Sequence, residues 1–276
     1  MESRKSLRAT FLVLLYAISC KIISGFFYLT ICGNFRSLLL DILFFQYSNL
    51  LLLFPGTQFS YKFRLCKTTN IWKYVCKYIF GMLVGTIVLS IGLLLITTVS
   101  KVSISYSFTP NSTVYLLVIV GFVVQSYAEE FLFRGRILAI LSKNFNWYIS
   151  SGIQAFTFTF VHSLNGGFTI ISFFTLFFFG ILMSLFSVFT KSLSFSSGFH
   201  FIWNSIPCIA LGMNVSGVKV PFSLLSTNLT GQDLYTGGVF GIEGSILVLC
   251  VVFILTVALL QRACREKLGH KGNWLF

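Results

Sequence analysis

The chain is short of charge. Of its 276 residues only 10% are Asp, Glu, Lys or Arg, while 56% are hydrophobic and Phe alone occurs 33 times. A soluble chain carries roughly 25% charged residues. Long polar stretches are missing too, and a single soluble domain could not bury this much apolar surface without them, so the chain belongs in the membrane class. The mean hydropathy of +0.88 agrees. Cys-x-x-Cys spacing is absent from the seven cysteines, Cys20, Cys32, Cys66, Cys76, Cys208, Cys250 and Cys264. That excludes a disulfide framework or a zinc ribbon and leaves cysteine as a small membrane hydrophobe. No internal repeat, low-complexity tract or appended soluble domain is visible.

The net charge of +13 raises nucleic-acid binding only to dismiss it, because Lys and Arg cluster beside the ends of apolar runs rather than along one soluble face. Hydropathy gives an all-α, multi-pass transmembrane bundle of about eight spans, each near the ~20 residues needed to cross the hydrocarbon core. They fall near 9–31, 37–54, 76–98, 114–133, 147–164, 168–190, 195–213 and 239–261. The second is the weakest, interrupted by Asp41 and Gln46. The first follows Arg4, Lys5 and Arg8, lacks a small-x-small cleavage site, and reads as a retained span. With the N-terminus in the cytoplasm, sixteen Lys and Arg fall on the cytoplasmic side, among them Lys62, Arg64, Lys67, Lys73, Lys77, Arg136, Lys143, Lys191, Arg262, Arg265, Lys267 and Lys271. Only Arg36, Lys101 and Lys219 fall opposite. Both termini are therefore expected to be cytoplasmic. The Asn-x-Ser/Thr triplets at Asn111, Asn214 and Asn228 lie on the other side and read as chance matches in Ser/Thr-rich loops.

Against this apolar background Glu129 and Glu130 stand together at the end of a hydrophobic run, with Arg134 four residues beyond Glu130. A charged side chain at the centre of a membrane helix costs about 2.5–3.5 kcal/mol on insertion scales and is kept mainly for function. Residues four apart share a helical face, so Glu130 and Arg134 should form a buried ion pair. Glu129 points elsewhere, without a local partner and free for chemistry. Withdrawn from water, a carboxylate becomes a better base. His162 ends the next apolar run in Phe158-Thr-Phe-Val-His162. Glu129 lies 17 residues before Asn146 and His162 16 after it. Both then sit about 25 Å from that turn on antiparallel helices, at matched depth. His200 and Asn204, at i and i+4 in the seventh run, offer two polar groups to one point. Their depth agrees with that of Glu129 only if the fourth and fifth helices project about 10 Å into the cytoplasm.

These residues resemble a family. Glu-Glu-x-x-x-Arg (129–134), Phe-x-x-x-His (158–162) and His-x-x-x-Asn (200–204), in order on successive spans, look like the CPBP family of intramembrane proteases. That group includes the CAAX prenyl-protease and bacterial bacteriocin-processing and self-immunity proteins. Glu-Glu-Phe-Leu-Phe-Arg-Gly and Thr236-Gly-Gly-Val-Phe-Gly-Ile-Glu-Gly-Ser245 look like bacterial members. The likeness covers roughly 114–261 and divides the chain into motif-free helices (1–110), a protease core (111–265) and a cytoplasmic tail (266–276). It implies a helical bundle with a polar cavity opening towards the cytoplasm, in which Glu129 and His162 activate a water. It further implies that His200 and Asn204 stabilise the oxyanion or organise the site, with Glu130 and Arg134 as structural support.

No cofactor follows with certainty. Glu129, His162 and His200 would suit a three-ligand zinc site, yet His-Glu-x-x-His spacing is absent. A glutamate-activated water with a His/Asn oxyanion hole needs no metal and is the preferred reading. The expected activity is endopeptidase cleavage of a membrane-associated peptide or protein, prenylated or leader-type, in the plasma membrane of a bacterium, with the endoplasmic reticulum as the alternative. A non-catalytic immunity or scaffold protein and a proton-coupled transporter are the rivals. Oligomeric state is not legible.

Overall fold

The computed structural model describes residues 2–32, 38–53, 70–107, 112–220 and 222–266. Arg36, Lys62, Arg64, Cys66, Lys67, Asn111, Lys267 and Lys271 lie outside the described residues. The architecture is a helical membrane bundle. Helix α1 spans Glu2–Cys32, α2 Leu38–Tyr47, α3 Leu50–Leu53 and α4 Ile71–Val99. Then follow α5 Ser112–Glu130, a π-helical stretch Phe131–Ile137 and α6 Leu138–Leu141, one continuous rod. After it come α7 Trp147–His162, α8 Ile170–Thr190 and α9 Leu193–Ser205, the last running into a second π-helical stretch, Ile206–Ala210. The short α10, Asp233–Thr236, and α11, Ile246–Arg265, close the bundle.

Each expected span is present as helix. Among the described residues four helices are long and apolar enough to cross a membrane: Ile71–Val99, Ser112–Leu141, Ile170–Thr190 and Ile246–Arg265. The weak second span is broken into α2 and α3 at Ser48–Asn49. Side-chain caps start most of the others. Asn70 accepts from Trp72 N, Asn146 from Ile149 N, Thr169 from Ser172 N and Ser245 from Leu247 N, satisfying amides that helix geometry leaves unpaired.

Hydropathy does not reveal a two-stranded antiparallel sheet. Strand β1, Lys101–Tyr106, pairs with β2, Leu225–Thr230, with Lys101 opposite Thr230 and Tyr106 opposite Leu225. The loops after α4 and after α9 therefore share one end of the bundle. The basic residues gather at the other. Lys77 Nζ donates to Thr190 O at 2.6 Å, Ser6 Oγ to Ile140 O at 3.2 Å, and the Arg262 guanidinium lies 5.0 Å from the Phe189 ring centre. The start of α1, the α6–α7 turn, the α8–α9 turn and the end of α11 thus lie at one end of the bundle.

What seats α9 is a seam of small residues. In lipid, helices gain little from hydrophobic burial against each other, so close backbone approach and interhelical hydrogen bonds hold them. Gly81-x-x-x-Gly85 of α4 meets α9 at Phe195 and Phe199, and Gly198 of α9 meets the Tyr78 carbonyl of α4. A Cβ on Gly81 or Gly198 would strike those carbonyls, and one on Gly85 would lie 3.1 Å from the Phe199 carbonyl oxygen. Gly180 of α8 similarly admits Ala155 of α7, beside a 2.7 Å hydrogen bond from Ser184 Oγ to Gln154 Oε1. Helix α4 thus packs directly on the motif-bearing α9. Gly198→Leu should destabilise the bundle by about 1–3 kcal/mol or more through overpacking. The check is its melting temperature in detergent, and melting like the wild type would refute the seam.

Candidate active site

The two glutamates sit at the last turn of α5, where the helix widens into its π-helical stretch. Such widenings recur at functional positions. Glu130 and Arg134 are both fully buried, and Arg134 Nη1 donates to Glu130 Oε1 at 2.9 Å. Arg134 Nη2 donates to the Gly180 carbonyl at 3.3 Å, and its guanidinium lies 4.7 Å from the Phe158 ring centre. One side chain so ties α5, α7 and α8 together, with the planar fork that lysine lacks.

Glu129 is not left without a partner, contrary to the sequence reading. Gln125 stands one turn before it, and its Nε2 donates to Glu129 Oε1 at 3.2 Å. His200 supplies a second neighbour. Its Nδ1 lies 2.9 Å from Glu130 Oε1 and its Nε2 3.8 Å from Glu129 Oε2. The imidazole bridges the two acids, and Glu129 Oε2 makes no hydrogen bond. Arg134, Glu130, His200 and Glu129 form one row of adjoining polar groups in the bundle core.

Phe158 sets the position of His162. Its ring lies 5.1 Å from Phe133, 6.2 Å from His200 and 4.5 Å from His162. Phe158 is therefore level with Phe133 and Arg134. On antiparallel helices, four residues onward on α7 matches four residues back on α5, which brings His162 level with Glu129. No hydrogen bond joins Glu129 and His162 among the described residues. His162 Nδ1 meets the Phe158 carbonyl at 2.8 Å. A carbonyl only accepts, so Nδ1 carries a proton, and in the neutral ring Nε2 keeps its lone pair.

His162 lines a small cavity of about 40 Å³ with Asn204, Gln125, Asn165, Gln46 and Ser216, walled by Phe122, Cys208, Val215, Val218 and Val220. That volume admits water molecules. Gln125 is the link between the cavity and Glu129. The cavity reaches from mid-bundle to the loop Val215–Val220, on the side of the β1–β2 sheet. The resemblance implies a cavity opening towards the cytoplasm. Here it lies towards the end opposite the basic cluster, because α7 carries His162 at its far terminus and the 215–220 loop covers it.

The donor set does not fit a three-ligand zinc site. Among the described residues no group of three His, Cys, Asp or Glu side chains is placed to hold a metal. One nitrogen of each imidazole is bonded, His200 Nδ1 with Glu130 and His162 Nδ1 with the Phe158 carbonyl, which leaves each Nε2 outside those bonds. Glu129, His162 and His200 do not converge their remaining atoms on one point.

Fold and site together describe a multi-pass helical membrane protein with two carboxylates and one imidazole buried in its core and a second, half-buried imidazole at the end of α7. Residues 111–206 match the family described as type II CAAX prenyl endopeptidase, Rce1-like. The matched segment, 96 of the 276 residues, supports membership of the CPBP family and, at family level, a CAAX-type intramembrane endopeptidase. Among curated proteins none matches the chain.

Two groups at the site escape motif reading. Gln125 is visible only as an amide one turn before Glu129. Glu243, 2% exposed, is visible only as an acid inside an otherwise apolar and glycine-rich string.

Proposed function

We propose that this chain hydrolyses a peptide bond of a membrane-associated substrate, using Glu129 and His162 to activate a water. The observation that carries the reading is the pairing of depth and lone pair. His162 lines a water-sized cavity with Nδ1 committed to the Phe158 carbonyl, so that in the neutral ring Nε2 keeps a lone pair, level with a buried carboxylate that Gln125 holds by one oxygen. In this scheme the water oxygen attacks the scissile carbonyl carbon as Glu129 takes its proton, with His162 orienting the water. Asn204 supplies a donor to the oxyanion that forms, and His200, which as an imidazolium donates from Nε2 as well as from Nδ1 to Glu130, supplies a second. The proton then passes to the leaving amine, the C–N bond breaks, and a carboxylic acid and an amine are released. Glu130 and Arg134 hold His200 in register throughout. No step is assigned to a metal.

Substrates of prenylated CAAX or leader type suit the family, and the strings at 129–135 and 236–245 favour a bacterial plasma membrane. The test is cleavage by the purified protein in liposomes, offered a prenylated CAAX peptide and a pool of membrane-proximal leader peptides. His162→Ala should lower kcat/KM by about 10²–10⁴-fold, the usual worth of positioned acid–base catalysis. A strong zinc chelator should leave the wild-type rate unchanged. Full activity in His162→Ala would remove that residue from the mechanism, and loss with the chelator would restore a metal.

A further inference from the structure

Glu243 is a buried acid that the reaction scheme leaves idle. It sits in the short 3₁₀ turn Ile242–Gly244, just ahead of α11, whose N-terminus favours negative charge. Its two oxygens are both used. Trp203 Nε1 donates to Oε1 at 2.9 Å, and Ser216 Oγ donates to Oε2. Trp203 precedes Asn204 on α9, and Ser216 lies in the turn that walls the cavity.

That turn needs holding. Val215 and Val218 exchange both backbone hydrogen bonds, at 3.0 and 2.8 Å, so Ser216 and Gly217 occupy the two corners of a tight reversal. Both corners have positive φ, 49° at Ser216 and 75° at Gly217. Gly217 adopts this freely, whereas a serine there is disfavoured and persists only where its surroundings impose it. Three contacts impose it. Glu243 takes the Ser216 hydroxyl, Asn165 Nδ2 donates to the Ser216 carbonyl at 2.7 Å, and Gly217 N donates to the Phe240 carbonyl at 3.0 Å. Asn165 is itself bonded through its backbone N to the His162 carbonyl at 3.1 Å.

We infer that Glu243 is a positioning residue for this site. It fixes the Val215–Val218 turn over His162 on one side and the α9 segment bearing Asn204 on the other, and so sets the width of the cavity between them. Neither the motifs at 129–204 nor the matched segment 111–206 contains it. The inference rests on the cavity being the reaction site only for its effect on catalysis. Its structural content stands separately.

Cys208 provides a readout that does not need a substrate. It lines the cavity, is 1% exposed, and its thiol lies 3.9 Å from the Val218 carbonyl, beneath the turn. The experiment uses the full chain with the other six cysteines replaced, keeping Cys208, and follows maleimide labelling in detergent below the melting temperature. Glu243→Ala and Ser216→Ala should each raise the labelling rate at least tenfold. Glu243→Gln should restore slow labelling, because its amide oxygen can accept from Trp203 while its NH₂ donates to the Ser216 hydroxyl. General loosening of the fold would not be rescued by this exchange. Ser216→Ala leaves the Trp203 bond intact and tests the turn even if Glu243→Ala does not fold. Slow labelling in Ser216→Ala, or equally fast labelling in Glu243→Gln and Glu243→Ala, would overturn the assignment. With an active substrate in hand, the Ala variants should lose kcat and Glu243→Gln should regain it. Cleavage absent from every form, wild type included, with labelling as expected, would count against the peptidase reading and leave the positioning role standing.

Discussion

Arg134→Leu is expected to be the most damaging single change in the bundle. Removing one partner of a buried ion pair costs about 3–5 kcal/mol, since the other charge stays buried and unpaired. Here the stranded group is Glu130, fully buried against α9, with His200 and the Ser196 hydroxyl left beside it but no cation of guanidinium strength. The change also strips the Gly180 carbonyl of a donor and the Phe158 face of a cation. Lysine in its place would keep a charge but could not reach carboxylate, carbonyl and ring together, so Arg134→Lys should fall between. Glu130→Gln combined with Arg134→Leu should recover part of the loss, because the uncompensated charge is gone. Thermal unfolding in detergent across these four proteins checks the ordering. A single Arg134→Leu variant that melts with the wild type would mean that the pair does not bear on stability.

This ion pair is also the clearest case of what a sequence can reveal. Glu130 and Arg134 are four apart in one element, so helix geometry alone brings them together, and the structure has them 2.9 Å apart. The depth match of His162 and Glu129 needed one more quantity, the position of the turn between α6 and α7, and polar residues at 143–146 supply it. What joins distant elements was harder to see. The Gly81-x-x-x-Gly85 seam that seats His200 was readable in form, but nothing local says that its partner is α9. Strand β1 alternates Val102, Ile104 and Tyr106 with polar neighbours, a strand pattern, yet its partner β2 lies more than a hundred residues on. Such pairing becomes visible only once both loops are known to share one face of the membrane.

The placement of His200 was harder still. From its own helix it looks like a donor offered to substrate with Asn204. In space its Nδ1 belongs to Glu130 and only its Nε2 side is turned towards Glu129. Asn204 faces the cavity instead, with His162. The i, i+4 spacing is real, but one turn of helix separates a group buried among charges from one beside water. Spacing along a helix names the face and leaves the depth of the neighbouring cavity unstated.

Glu129→Gln is the change that separates catalysis from architecture. The amide has the shape of the carboxylate, and its oxygen can still accept from Gln125 Nε2, now at 3.2 Å from Glu129 Oε1. The exchange removes a charge that has no guanidinium of its own, unlike Glu130, so the cluster of Glu130, Arg134 and His200 should persist. Melting temperature and membrane insertion should therefore stay close to wild type. Cleavage should not. An amide cannot take the proton from water, and positioned acid–base catalysis is worth about 10²–10⁴-fold in rate, so turnover in liposomes should fall by at least that factor. Gln125→Ala should cost less, since it loosens one oxygen of the base without removing it. The two variants together discriminate among roles. A base predicts a large loss in Glu129→Gln and a smaller one in Gln125→Ala, whereas an acid kept only for packing predicts wild-type cleavage in Glu129→Gln. A protein that binds a membrane peptide without cutting it would retain binding in Glu129→Gln and release no product in any form, wild type included.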